Sequence, residues 1–121
     1  MRVASLVIPP GPEHVRTARL LAASVARQSG FGEDVVDDVR LAVSEACLLH
    51  GRHAAPIHVD FDSDELELVV GVGPQATPQA AEPDSQLAMT LLEAVVPVLE
   101  FDDAGMRMSW SSGAASVGDD A

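Results

Sequence analysis

The chain has 121 residues, 47% of them hydrophobic but only 3% aromatic, with a formal net charge of −12. That length supports one compact domain with a core of Val, Leu and Ala, and it is too short for two. Against 19 acidic residues stand seven arginines and no lysine. This balance excludes nucleic acid and anionic membrane as natural partners, leaves a triphosphate without cationic help, and favours a basic or arginine-bearing protein.

In chain order, residues 2–8 (RVASLVI) form a short β-run closed by Pro9, Pro10, Gly11 and Pro12. Pro12 suits the first turn of a helix, which runs to about Gly30. On it Val15, Ala18, Ala22 and Val25 share one face with Leu21 beside them. Arg16, Arg19 and Arg27 line another, a basic stripe that is either a solvated face or a partner contact. Glu33 and Asp34 suit the positive end of a second helix, which reaches Leu49 or His50 with Val36, Val39, Val43, Ala46 and Cys47 turned inward. A single cysteine cannot form an internal disulfide, and Cys47 reads as a buried thiol.

Strands at 56–61 and 65–72 are expected to form a hairpin turning at 62–64. Residues 73–83 form a Pro/Ala/Gln loop. A third helix, capped by Asp84 or Ser85, is expected to bury Leu87, Leu91, Ala94 and Val95 until Pro97 stops it. A last hairpin, VLEFDD then GMRMSW, turns at 103–105. The order β-α-α-β-β-α-β-β implies an α+β two-layer sandwich, helices on one face of a mixed or antiparallel sheet. One domain over 1–111 and a disordered acidic tail over 112–121 are expected. The N-terminus has no signal-type apolar region and no stretch is long enough to span a membrane, so the expected location is cytoplasmic.

Three motifs invite chemistry and fall short. GVGPQA (71–76) fits a dinucleotide fingerprint, but Pro78 and Pro83 forbid the helix whose N-terminus would meet a pyrophosphate. Cys47, His50, His53 and His58 could begin a zinc site, yet Gly51 breaks the helix and no fourth ligand follows, so no metal is expected. Ser44 lies mid-helix without a nucleophile elbow.

The stretch DVRLAVSEACLLH (38–50) resembles the N-box of the RsbW-type anti-sigma factor and serine kinase family, within the GHKL, or histidine-kinase-like, ATPases. The likeness continues in order. PEHVRTARLLAASVARQSGF resembles the family's first helix, LELVVGVGPQ stands where the family has a strand ending in D-x-G-x-G, SQLAMTLLEAVVPVLEF stands at its third box, and AGMRMSW resembles its closing strand. The resemblance implies the Bergerat fold, Glu45 as general base or water positioner, and first-helix arginines as partner contacts.

The departures matter as much. Leu49 stands where the family places the asparagine that ligates Mg²⁺, and a leucine gives a hard cation no oxygen. Gly71 stands at the adenine-reading aspartate, Gly73 survives, and Gln75 replaces the next glycine. Gln86, Leu87 and Ala88 replace the glycines that close on phosphates. ATP and Mg²⁺ binding are therefore expected to be lost, leaving Glu45 a relic at the rim of an emptied pocket lined by Leu48, Leu49 and Gly71. The resemblance, with these departures, implies a pseudokinase that regulates transcription through a sigma factor or a STAS-domain anti-anti-sigma factor, with a homodimer possible. An active serine kinase using Glu45 is the alternative.

Overall fold

The computed structural model describes the chain except residues 51–55, 75–82, 103 and 112–121, and except the side chains of 83–85. The order is β1 (Arg2–Ile8), α1 (Pro12–Gln28), α2 (Glu33–His50), β2 (Ile57–Ser63), β3 (Glu67–Gly73), α3 (Pro83–Val95), β4 (Val98–Asp102) and β5 (Gly105–Ser111). This is the order the sequence led us to expect. The strands form one five-stranded sheet in the order β1-β2-β3-β5-β4, every pairing antiparallel. The expected tail, most of the 73–83 loop and the first residue of the 103–105 turn fall outside the described residues.

Period-two burial gives the sheet its two faces. Ile57, Val59 and Phe61 on β2, Leu68, Val70 and Val72 on β3, and Met106, Met108 and Trp110 on β5 are all buried. Their sequence alternates point the other way, because successive strand side chains leave opposite sides of the pleat. The helices pack on the apolar face, with α2 between α1 and α3. As expected, Val15, Ala18, Ala22 and Val25 of α1 and Val36, Val39, Val43, Ala46 and Cys47 of α2 are buried. Phe61 and Trp110 are the aromatic members of an otherwise aliphatic buried core. The indole of Trp110 donates to Val95 O at 3.1 Å and so ties β5 to the end of α3.

Two connections depend on glycine. Gly30, at φ 91°, lets the chain double back after α1 so that Phe31 N–H reaches Ala26 O at 3.2 Å, closing the helix end. At Gly105, φ 134°, a Cβ would collide with Val72 O, so β5 can start against β3 only without a side chain there.

Two expectations need correction. The β2–β3 turn occupies 64–66, not 62–64, because Asp64 accepts the backbone N–H groups of Leu66 and Glu67, each at 2.9 Å, and closes the turn itself. On α3 the inward residues are Ala88 and Leu92, with Leu91 and Val95 half-buried; Leu87 is 61% exposed and Ala94 is exposed too. The predicted face was rotated because an Ala- and Leu-rich helix carries apolar residues on nearly every side, and the sheet decides which of them it covers.

Candidate functional site

Helix α2 carries the N-box-like stretch, and its geometry fixes Glu45 and Leu49 one turn apart on neighbouring ground. Acidic Glu33 and Asp34 open the helix and His50 lies in its last turn, each matched to the local end of the macrodipole. Glu45 is half-buried and has no ion-pair or hydrogen-bond partner among the described residues. Leu49 is only 4% exposed and belongs to the core, whereas Leu48 is 40% exposed. Leu49 thus fills its position.

Gly71 lies elsewhere. Its strand neighbours Val70 and Val72 both bury toward the helices, so Gly71 faces the far side of the sheet, paired across to Asp60 and Arg107. A Cβ built on Gly71 would meet nothing within 4 Å. The expectation that Leu48, Leu49 and Gly71 line one emptied pocket is therefore corrected: one is exposed, one is core, and the third is behind the sheet. The β3 residue that faces the helices near the strand's end is Val72, which is 1% exposed. The sequence carried the signal for this in the alternation Leu68, Val70, Val72. Neither Gly71 nor Val72 carries a carboxylate. Gly73 ends β3, and Gln75 lies outside the described residues. At the third box Gln86 and Leu87 are exposed and Ala88 is buried at 5%.

A hard cation needs oxygen ligands, and Leu49 presents hydrocarbon where the resemblance places the family's metal-ligating asparagine. Among the described residues no group of three or more His, Cys, Asp and Glu side chains could hold a metal. His50 is buried with its Nδ1 2.9 Å from Ala46 O, to which it donates, while His58 is exposed on β2 and His53 lies outside the described residues. Cys47 is buried, and desolvation pushes its thiol up to about 12.

The far face of the sheet carries charge. Arg2 meets Asp60 at 3.5 Å and Asp62 at 3.2 Å, Ser5 donates to Asp60 at 2.8 Å, and Arg107 meets Asp102 at 3.2 Å. Arg2, Asp60, Asp62, Asp102 and Arg107 border, with His58, Gly71 and Gly73, an open groove of about 490 Å³. On α1 and α2, Arg27 forms a two-pronged pair with Glu33, both distances 3.0 Å, and Arg40 pairs with Asp37 at 2.6 Å. Among the described residues only Arg16 and Arg19 are arginines without an ion pair, and both are exposed. The stripe read from the sequence thus resolves into one clamped arginine and two unengaged ones.

The order of elements, the one-sided helical layer and an N-box-like stretch on the central helix agree with what comparison finds. The sequence signature of the histidine kinase-like ATPase domain matches residues 8–109. The chain belongs to that family. Among curated relatives, the serine-protein kinase RsbW of Oceanobacillus iheyensis is 35% identical over 65 residues, 54% of this chain and 39% of the relative. RsbW of Bacillus cereus strain AH187 is 37% identical over 65 residues, 38% of its length. RsbW of Bacillus thuringiensis strain Al Hakam is 28% identical over 125 aligned residues, 84% of this chain and 78% of the relative. The chain thus spans about two fifths of the length of the first two. No helix among the described residues is long and apolar enough to cross a membrane.

Proposed function

We propose that this member of the family is a regulatory protein-binding module that has lost nucleotide binding. It acts in the cytoplasm by holding a sigma factor or a STAS-domain anti-anti-sigma factor in a partner-switching circuit. The observation that carries this reading is Leu49, buried at 4% exposure in the position where the family's metal-ligating asparagine belongs. Gly71, at the position of the family's adenine-reading aspartate by resemblance, has no side chain to read a base. With no oxygen for Mg²⁺ and a chain charge of −12, a triphosphate finds neither ligand nor field.

Partner contact falls to α1. Arg16 and Arg19 present guanidinium forks with no internal acceptor among the described residues, the groups best suited to a partner's carboxylates. Arg27, clamped by Glu33, contributes as the charged end of that pair. Replacing Arg19 with Glu weakens partner binding and leaves stability nearly unchanged on this reading.

The alternative, an active serine kinase, draws on Glu45, which is retained, half-buried and unengaged among the described residues. Thermal unfolding with and without about 1 mM Mg-ATP separates the two. Ligand at a hundredfold its dissociation constant stabilises a protein by about 2.7 kcal/mol, several degrees for a domain of this size. No shift is expected. A clear Mg²⁺-dependent rise in Tm would overturn the nucleotide-free reading and return Glu45 to service as a base.

A further inference from the structure

The side of the sheet turned away from the helices is open among the described residues, with His58 and Arg107 exposed and Asp60, Asp62, Val69 and Gly71 half-buried. Its middle strand, β3, is nearly bare there. Gly71 pairs with Asp60 on β2 and with Arg107 on β5, and Gly73 pairs with His58. Because β2 and β5 flank β3, their side chains stand about 9–10 Å apart across it. A Cβ built on Gly71 would meet nothing within 4 Å, so no neighbouring group fills the gap. The groove of about 490 Å³ therefore has β3 backbone for its floor. Val69, two residues before Gly71 on the same face, gives that floor an apolar end.

The walls of this trough carry an excess of negative charge. Asp60, Asp62, Glu67, Glu100 and Asp102 share the face, against Arg2 and Arg107 alone among the described residues. Both guanidinium groups are already taken, Arg2 by Asp60 and Asp62 and Arg107 by Asp102. Asp60, directly across from Gly71, is the carboxylate closest to the gap in register. Ser5 and Arg2 both reach it through Oδ1, at 2.8 and 3.5 Å, which leaves Oδ2 for a donor from outside.

We infer that the trough over Gly71 receives an arginine side chain of a partner protein. The guanidinium lies flat on the bare backbone of β3 and donates to Asp60, while its aliphatic stem covers Val69. Arginine is the fitting occupant because its planar, weakly hydrated fork suits a side-chain-free floor beside a carboxylate, whereas lysine brings a compact and strongly hydrated charge. The negative excess repels nucleic acid and free phosphate, and a second copy of the chain would set one acidic face against another. A metal is not the occupant, since no group of His, Cys, Asp and Glu among the described residues could hold one. The inference rests on reading the chain as a protein-binding module, and it adds a contact on the sheet to the one proposed for α1.

The test titrates the ¹⁵N-labelled full chain with N-acetyl-arginine amide, using the lysine and citrulline amides as controls, and follows backbone amide shifts at physiological salt. Saturable shifts centred on residues 58–60, 71–73 and 105–107 are expected, with a dissociation constant of about 1–10 mM for so small a probe. The lysine and citrulline amides should bind at least about fivefold more weakly. Gly71→Leu fills the trough and should abolish the shifts, and Asp60→Asn should weaken binding about fivefold or more. Gly71→Ala is the milder variant should leucine disturb the fold, which circular dichroism reports. Glu65→Gln removes one charge outside the trough and should change nothing, which separates a local site from the general acidity of the chain. No saturation by about 50 mM, equal binding of the lysine amide, or indifference to both the Gly71 and Asp60 substitutions overturns the inference. Shifts of the same amides with protein concentration alone would also overturn it, by showing a second copy on this face. R16E/R19E should leave the titration unchanged, so the sheet contact and the α1 contact stand or fall separately.

Discussion

Restoring the family's asparagine at position 49 is the most revealing single change. Leu49 is 4% exposed and part of the continuous core. Removing its side chain from that setting forfeits about 1.5–3 kcal/mol of apolar burial. The amide that replaces it needs partners, and leaving its polar atoms unmatched adds about 1–3 kcal/mol. Leu49→Asn is therefore expected to destabilise the fold by about 3–5 kcal/mol, a large share of the roughly 5–15 kcal/mol that holds a typical domain. At about 4 °C per kcal/mol for this size, Tm falls by roughly 12–20 °C. Leu49→Ala provides the cavity-only reference, at about 2–5 kcal/mol. Circular dichroism melts and urea titrations of the three proteins, each with and without Mg-ATP, make the measurement. A loss below about 1 kcal/mol for Leu49→Asn would refute the argument, since it would mean that position 49 adjoins water or polar groups able to take an amide. Recovery of Tm by Mg-ATP in that variant would show a binding site lacking only its metal ligand.

The two faces of β3 predict opposite costs at neighbouring positions. Gly71→Asp, with nothing within 4 Å of its Cβ and Asp60 and Arg107 to either side, should change stability by less than about 1 kcal/mol. Val72→Asp places a carboxylate in the core and should cost more than about 3 kcal/mol in urea titration; equal losses would show the faces to be misassigned. The backbone N–H groups of Leu66 and Glu67 hold the Asp64 carboxyl below the ordinary aspartate range. Its contribution is therefore complete above the unfolded-state pKa and disappears as pH falls through the lower folded value. Asp64→Asn should flatten part of the acid limb of the Tm–pH curve below about pH 4, and superimposable limbs would contradict the turn geometry. Cys47, its thiol raised to about 12, should resist thiol reagents at about pH 8 until urea unfolds the domain; rapid labelling of the native protein would show that α2 does not keep it buried.

Much of this protein is legible in its sequence, for reasons particular to each element. The helical faces of α1 and α2 were readable because Val15, Ala18, Ala22 and Val25, then Val36, Val39, Val43 and Ala46, repeat at the helical period against charged neighbours. Leu49 could be read as incompatible with a cation from its chemistry alone. The α3 face was not readable, since Leu87, Ala88, Leu91 and Leu92 give no contrast and packing chooses among them. The turn after β2 slipped by two residues because Asp64 closes it with its own side chain, a local bond that hydrophobic alternation does not encode.

The order of elements, the acidic surface and the residue at each family motif were all present in the unfolded chain. Which of those residues share a space was settled only by folding. Gly71 and Leu49 read as one pocket when motifs are laid side by side, yet the pleat puts Gly71 behind the sheet and brings Val72 to the helix side. Likewise the three arginines of α1 read as one stripe until the α1–α2 turn delivers Glu33 to Arg27 and leaves Arg16 and Arg19 unengaged among the described residues. Periodicity is a property of one element, whereas facing and pairing belong to two elements at once, and only the folded chain brings the second element into place.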